Sequence, residues 1–265
     1  MVGRTLAKAA CGEGAARLYL CGRIALECGG RVLSEAELGG RQGRLLLAFL
    51  GTRRAQPVSR AQLIEGVWNS DVPRSVDGAL NALVSKLRSA MRRVGVPPPH
   101  GVATDSGAYQ LAMSSAWLDI ESARQSLDRA EGSLRAGDAG TAWANANVAA
   151  AITRQPFLVG EESPWIEQQR AALARVWRRS LLVLSAVSTS NRELELGIQY
   201  AAEVLAAEPF DEVACQALMR AHAAAGNRAE ALRVYANCRK LFRDELGTEP
   251  SEKTAAVFIE ILRAE

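Results

Sequence analysis

The sequence predicts a mostly α chain with small β elements, divided into two domains. Three observations lead there. Short alternations of apolar and polar residues occur within residues 17–113, whereas from Trp117 onward the pattern is helical and alanine-rich. Charge divides at nearly the same place: residues 1–112 hold 15 Lys/Arg against 8 Asp/Glu, and residues 113–265 hold 17 against 21. A basic half joined to a mildly acidic half suits two domains with different partners. The third observation is "NALVSKLRSAMRR" (residues 81–93), an amphipathic helix whose polar side is cationic.

The 265 residues are enough for two modest cores, and a hydrophobic content of 48% with 23% charged residues fits a soluble globular chain. No apolar run approaches the roughly 18–20 residues of a membrane span, so no membrane partner is expected. The start of the chain lacks the apolar stretch of a signal peptide, and residues 1–16 are expected to be a flexible leader. Five cysteines, odd in number and scattered, argue for free thiols in a reducing cytoplasm rather than a disulfide framework or zinc site.

The elements follow in order. "RLYLCGRIALECGGRVLS" (17–34) alternates, with turn signals at Gly22 and Gly29-Gly30, and reads as short antiparallel strands. "RQGRLLLAFL" (41–50) is a helix. Pro57 breaks the chain, and Ser59 is the N-cap expected for a helix over 60–68. "NSDVP" (69–73) is a loop. A longer helix runs from about Ser75 to Val94, and the three prolines of "GVPPPHG" (95–101) end it. "VATDSGAYQLAM" (102–113) alternates around an Asp-Ser-Gly turn and reads as a hairpin.

Two helices, a longer basic helix and a terminal hairpin are the parts of a winged helix-turn-helix domain, placed here at residues 17–113. At 100° per residue, Leu83, Val84, Leu87, Met91 and Val94 fall within about 60° of Leu80 and form the core-facing stripe. The opposite arc holds Asn81, Ala82, Ser85 and Ser89, flanked by Arg88 and Arg92 on one side and by Lys86 and Arg93 on the other. No acidic residue occurs between Asp77 and Asp105. Such an arc suits the DNA major groove: Asn81, Ser85 and Lys86 can bond base edges, and Ala82 can approach a thymine methyl. Arg88, Arg92 and Arg93 are placed for phosphates on the groove walls.

Residues 114–265 read as an all-α, tetratricopeptide-like domain. A turn followed five residues later by a small residue recurs as Gly137/Ala142, Arg192/Gly197 and Gly226/Ala231. Gly197 and Ala231 lie 34 residues apart, the period of tetratricopeptide repeats. The small residue lets paired helices approach closely.

"RQGRLLLAFL", "PVSRAQLIEGVW", "LVSKLRSAMRRVG" and "VATDSGAYQL" resemble the OmpR-type winged helix that heads the SARP family (Streptomyces antibiotic regulatory proteins, including AfsR- and EmbR-like regulators). "PWIEQQRAAL" (164–173), "EPFDEVACQALMRAHAAAGNRAEALRVY" (208–235) and "ELGTEPS" (245–251) resemble the bacterial transcriptional activation domain of the same family. One departure is Val67-Trp68-Asn69, where the family usually has Leu-Trp-Gly. The resemblance implies a transcriptional activator that binds direct repeats in double-stranded DNA near the −35 element. It implies recruitment of RNA polymerase holoenzyme with its σ factor, as a homodimer on DNA, in a nucleoid-associated setting. It further implies that the hairpin reaches the minor groove, with Thr104 and Ser106 able to bind phosphate, and that Arg60 meets the DNA backbone. The loop residues Trp68, Asn69, Asp71 and Arg74 correspond to the family's σ contact, and secondary-metabolite or other specialised gene clusters are the implied targets.

No GxxxxGK[ST], GxSxG, HExxH or Gly-rich dinucleotide loop occurs, so no enzyme, cofactor or metal is expected. His100 and His222 are too isolated to suggest a ligand pair. The competing reading is a tetratricopeptide-type interaction adaptor with a nonspecific basic domain.

Overall fold

The computed structural model describes residues 16–69, 71–96, 98 and 100–264. The expected leader, apart from Ala16, lies outside the described residues, as do Ser70 and two of the three prolines in the 97–99 run. Ten α-helices and seven short strands are present among the described residues.

The chain divides into two compact units, one of residues up to 122 with 155–173, the other of 123–154 with 174–265. These compact units cut across the sequence boundary placed at 113/114, because 155–173 packs with the first of them. The segment 155–173 is distant in sequence from the first unit, and its anchors are side chains whose partners spacing does not reveal.

In the first unit, β1 (Ala16–Tyr19), β2 (Ala25–Cys28) and β3 (Arg31–Leu33) are the antiparallel strands expected over 17–34. Gly29 and Gly30 take φ of 56° and 77° in the two-residue turn between β2 and β3. β7 (Trp117–Leu118) adds to the other edge, parallel to β1, giving the order β3-β2-β1-β7. A 3-10 turn (Glu35–Leu38) leads to α1 (Arg41–Thr52). Two-residue β4 (Val58–Ser59) precedes α2 (Arg60–Trp68), where Ser59 and Gln62 form a capping box: Ser59 Oγ accepts from Gln62 N, and Gln62 Oε1 accepts from Ser59 N. α3 (Val76–Arg93) follows, then the hairpin β5 (Gly101–Asp105) and β6 (Ala108–Ala112). β4 pairs with β6, an interaction too short to be visible in the sequence.

The core of this unit is apolar, with Leu46, Leu47, Leu50, Leu63, Leu80 and Leu87 fully buried. Polar anchors then join distant segments. Asp119, which opens α4 (Asp119–Arg135), accepts from Leu20 N at 2.7 Å, Cys21 N at 2.8 Å and Ile120 N at 2.7 Å. Burial pushes its carboxyl up, against those three bonds. Glu161, with only 4% of its side chain exposed, is ion-paired to both Arg41 and Arg44 of α1. Trp165 donates from Nε1 to Gly66 O at 3.0 Å and stands edge-on to Phe49 with centroids 5.0 Å apart. Arg41, Gly66 and Phe49 are therefore the hooks that draw 155–173 into the first unit.

The second unit is helical: the remainder of α4, α5 (Ala139–Thr153), the rest of α6 (Pro164–Ser190), α7 (Leu194–Ala207), α8 (Glu212–Ala224), α9 (Arg228–Leu246) and α10 (Glu252–Arg263). The recurrent device read from the sequence has a backbone basis. Gly137, Arg192 and Gly226 adopt φ of 78°, 66° and 77°, the left-handed turn that ends one helix before the next begins. The small residues five places on are buried, and a Cβ at Gly197 would come within 2.5 Å of Thr189 Oγ1. Ser185 Oγ donates to Gly197 O at 2.7 Å across the same close approach.

Cys215 and Cys238 are free and buried, as expected.

The C-terminal helix is fastened by carboxylates. Burial acts to raise the Glu212 carboxyl, but hydrogen bonds from Ser251 N, Ser251 Oγ and Thr254 Oγ1 outweigh it and hold the group below its ordinary value of 4.5. Hydrogen bonds from Arg239 and Arg243 lower Glu249 to about 2. Carboxyls lowered by folding add stability above their unfolded pKa, and that stability is lost as pH falls through the folded value. Amide exchange in α10 should therefore accelerate as pH drops below about 4.5 toward 2, after correction for intrinsic rates. Glu212→Gln should weaken the docking at pH 7 and flatten its pH response; a variant as pH-sensitive as the parent would contradict this.

Candidate nucleic-acid interface

The orientation of α3 is set by what it buries. Leu80, Leu83, Val84, Leu87, Ala90 and Met91 are all buried, so the helix can present only its opposite arc. Asn81, Ala82, Ser85, Lys86, Arg92 and Arg93 are exposed on that arc, and Ser89 and Arg88 are half-buried. Arg92 donates from Nη2 to Ser89 Oγ at 3.0 Å. The helix contains one acid, Asp77, in its first turn.

Two arginines expected at the DNA surface are engaged within the domain. Arg60, the first residue of α2, donates from Nε to Asp77 Oδ1 at 2.8 Å and from Nη2 to Asp77 O at 2.9 Å. Its Nη1 donates to Asn81 Oδ1 at 3.1 Å and to Tyr109 Oη at 2.8 Å. Tyr109, on β6, is buried, so this one guanidinium joins α2, α3 and the hairpin. Arg88 donates from Nε to Val102 O at 2.8 Å and from Nη2 to Thr104 Oγ1 at 2.6 Å, tying the middle of α3 to β5. Sequence reading placed Arg88 on the polar side of α3 by its periodicity and offered Arg60 for the DNA backbone through the family resemblance. It could not show that neighbouring segments supply acceptors for them.

The hairpin tip is tight. Ser106 and Gly107 both have positive φ, 49° and 81°, and Asp105 pairs with Ala108 across them. This is the two-residue turn whose twist suits a β-hairpin. Thr104 and Ser106 are exposed there, and Ser106 Oγ donates to Asp105 Oδ1 at 3.2 Å.

The loop between α2 and α3 leaves α2 at Asn69, whose backbone adopts φ 50° and ψ −109°. A positive φ is where glycine sits without steric cost, and Asn69 holds it here. Asn69, Asp71 and Arg74 are exposed, but Trp68 is 8% exposed and belongs to the core that anchors the loop. Functional side chains that sequence reasoning missed are Asp77 and Tyr109 as partners of Arg60. An acid in an otherwise cationic helix was the available signal for the first.

A helix-turn-helix with a hairpin wing, whose longest helix turns a cationic, small-residue arc outward, defines a winged-helix domain of the transcription-regulator class. The comparisons agree. Residues 34–108 match the C-terminal domain of transcriptional regulatory proteins, and residues 118–262 match the bacterial transcriptional activator domain. The chain belongs to the SARP-type family of bacterial transcriptional regulators that combine these two domains. It is 28% identical over 258 residues to the regulatory protein AfsR of Streptomyces griseus, covering 95% of this chain and 25% of that protein. It is 26% identical to the transcriptional regulator RedD of Streptomyces coelicolor, covering 83% and 63%. The structure of Mycobacterium tuberculosis EmbR in complex with a low-affinity phosphopeptide superposes with a TM-score of 0.85 at 20% identity, over 94% of this chain and 65% of that one. The fold is thus shared, and the chain spans about a quarter of the length of the AfsR protein it matches. No helix among the described residues is long and apolar enough to cross a membrane.

Arg88→Ala should release the wing from α3 without unfolding either unit. Loss of two charge-assisted hydrogen bonds at a half-exposed site should speed amide exchange in residues 101–112 by on the order of tenfold. Unchanged exchange there would contradict the bracing role.

Proposed function

We propose that this protein is a sequence-specific DNA-binding transcriptional activator whose α3 enters the major groove. The observation that supports it most is the outer arc of α3: small and amide side chains lie between cations, and the helix's only carboxylate is neutralised by Arg60. Asn81, Ser85 and Lys86 are the base-edge candidates, and Ala82 is placed to meet a thymine methyl. Arg92 and Arg93 meet phosphates on the flanks, and Thr104 and Ser106 meet phosphate from the wing. Arg60 and Arg88 act from inside the domain, holding the reading helix and the wing.

The family supports the rest of the reading. The activator binds direct repeats near a −35 element as a homodimer. Asn69, Asp71 and Arg74 touch the σ factor of RNA polymerase, and the helical unit provides the surface for pairing and for polymerase. Specialised gene clusters are the proposed targets, as the name of the family suggests, in a cytoplasmic, nucleoid-associated setting.

The test is selection of binding sites from random duplexes with the whole chain, followed by footprinting of the best site. Two protected direct repeats about one helical turn apart are expected. Affinity should fall on the order of 10³-fold between about 50 and 200 mM salt if about six phosphates are neutralised. Lys86→Ala with Arg92→Ala, both off the buried stripe, should abolish binding while leaving the melting temperature nearly unchanged. Recovery of no sequence preference, with a flat salt response, would favour the interaction adaptor instead.

A further inference from the structure

Arg60 begins α2, yet its four hydrogen bonds to described residues all leave that helix for Asp77, Asn81 and Tyr109. A guanidinium carries donors only, so the Asn81 atom it meets at 3.1 Å must be the amide oxygen. An exposed asparagine elsewhere would turn its amide either way. Here the oxygen is claimed from the α2 side, and the Nδ2 amine is the end left for a partner. Asp77 anchors the other edge of the guanidinium through both its carboxylate and its carbonyl, so the fork cannot follow Asn81 if the amide turns.

We propose that Arg60 is a positioning residue for base readout: it fixes the polarity of Asn81 so that Asn81 reads a hydrogen-bond acceptor on a base edge. This rests on the DNA-binding reading above. In the major groove guanine offers N7 and O6, adenine N7 and thymine O4, whereas cytosine offers only its N4 amino donor. Asn81 therefore selects against cytosine at the base it faces. Without Arg60 the amide turns freely, and its oxygen can accept from cytosine.

The experiment uses the whole chain and its selected site. The base position read by Asn81 is the one whose preference Asn81→Ala loses, and the four bases are then compared there by competition. The parent should bind the cytosine duplex about tenfold more weakly than the best one, equivalent to about 1.4 kcal/mol. Asn81→Asp keeps the shape and an acceptor for Arg60 but has no N–H, and it should invert the preference so that cytosine becomes the best base. Arg60→Leu, combined with Asp77→Asn so that no unpaired carboxylate is left behind, should flatten the preference at this position and leave the salt dependence unchanged. An arginine that contacted phosphate would instead reduce the salt slope by about one. Should Arg60→Leu fail to fold, Arg60→Lys, which keeps the charge but cannot hold Asp77 and Asn81 together, tests the positioning role, while Asn81→Asp tests the donor itself at an exposed site. Cytosine preferred by the parent, no inversion in Asn81→Asp, or a salt slope reduced in Arg60→Leu with base preference intact would each overturn the proposal. Absence of any sequence preference in the parent would overturn the DNA-readout reading itself, and the proposal with it.

Discussion

The rotation of α3 about its own axis decides what this protein can offer a partner, and hydrophobic burial sets that rotation. Leu80, Leu83, Val84, Leu87 and Met91 lie on one stripe and are almost wholly removed from solvent. Each large apolar side chain returned to water would cost about 1.5–3 kcal/mol. Exposing all five would consume the whole stability of a typical domain, roughly 5–15 kcal/mol. The outer arc is thus fixed before any partner arrives, and Asn81, Ala82, Ser85 and Lys86 are held outward by residues that never touch it. Preorganisation of this kind lowers the ordering cost of binding.

Upon that frame two guanidiniums do what apolar packing cannot. Packing sets which face of a helix is buried but tolerates sliding and rocking of a short hairpin against it. Arg60 and Arg88 supply directional bonds at two heights of α3, one reaching β6 through Tyr109 and one reaching β5 through Val102 and Thr104. Arg60 also neutralises Asp77, which would otherwise repel a phosphate backbone from the first turn of the reading helix. The other cations of α3, Lys86, Arg92 and Arg93, are exposed. The arginines that brace the wing and the cations that face solvent are therefore different residues.

Most of the local architecture was legible in the sequence because it is written in short-range patterns. The 3.6-residue stripe of α3, the Ser59 N-cap and the Asp105–Gly107 turn each need only a few neighbouring residues to declare themselves. The turn-and-small-residue device did so three times over, since a left-handed turn and a close helix approach constrain residue type directly. What stayed hidden depends on partners far along the chain. Nothing near Glu161 announces that it sits between Arg41 and Arg44, and nothing near Trp165 points to Gly66 and Phe49. That the segment 155–173 packs with the first unit was therefore not visible in the sequence. Arg88 was read as a basic residue on the polar side of α3 and Arg60 entered only through the family resemblance, since a helical wheel cannot distinguish a cation facing solvent from one gripping a neighbouring strand.

The central claim is that the outer arc of α3 lies in a DNA groove. A photo-crosslinking amino acid at Ser85, in the whole chain bound to its selected duplex, tests it most directly. Crosslinks to bases inside each protected repeat are expected from Ser85, and none from the same amino acid at exposed Glu195 of α7. Efficient protein binding to DNA with no crosslink from Ser85 would contradict the account and place the DNA on another surface.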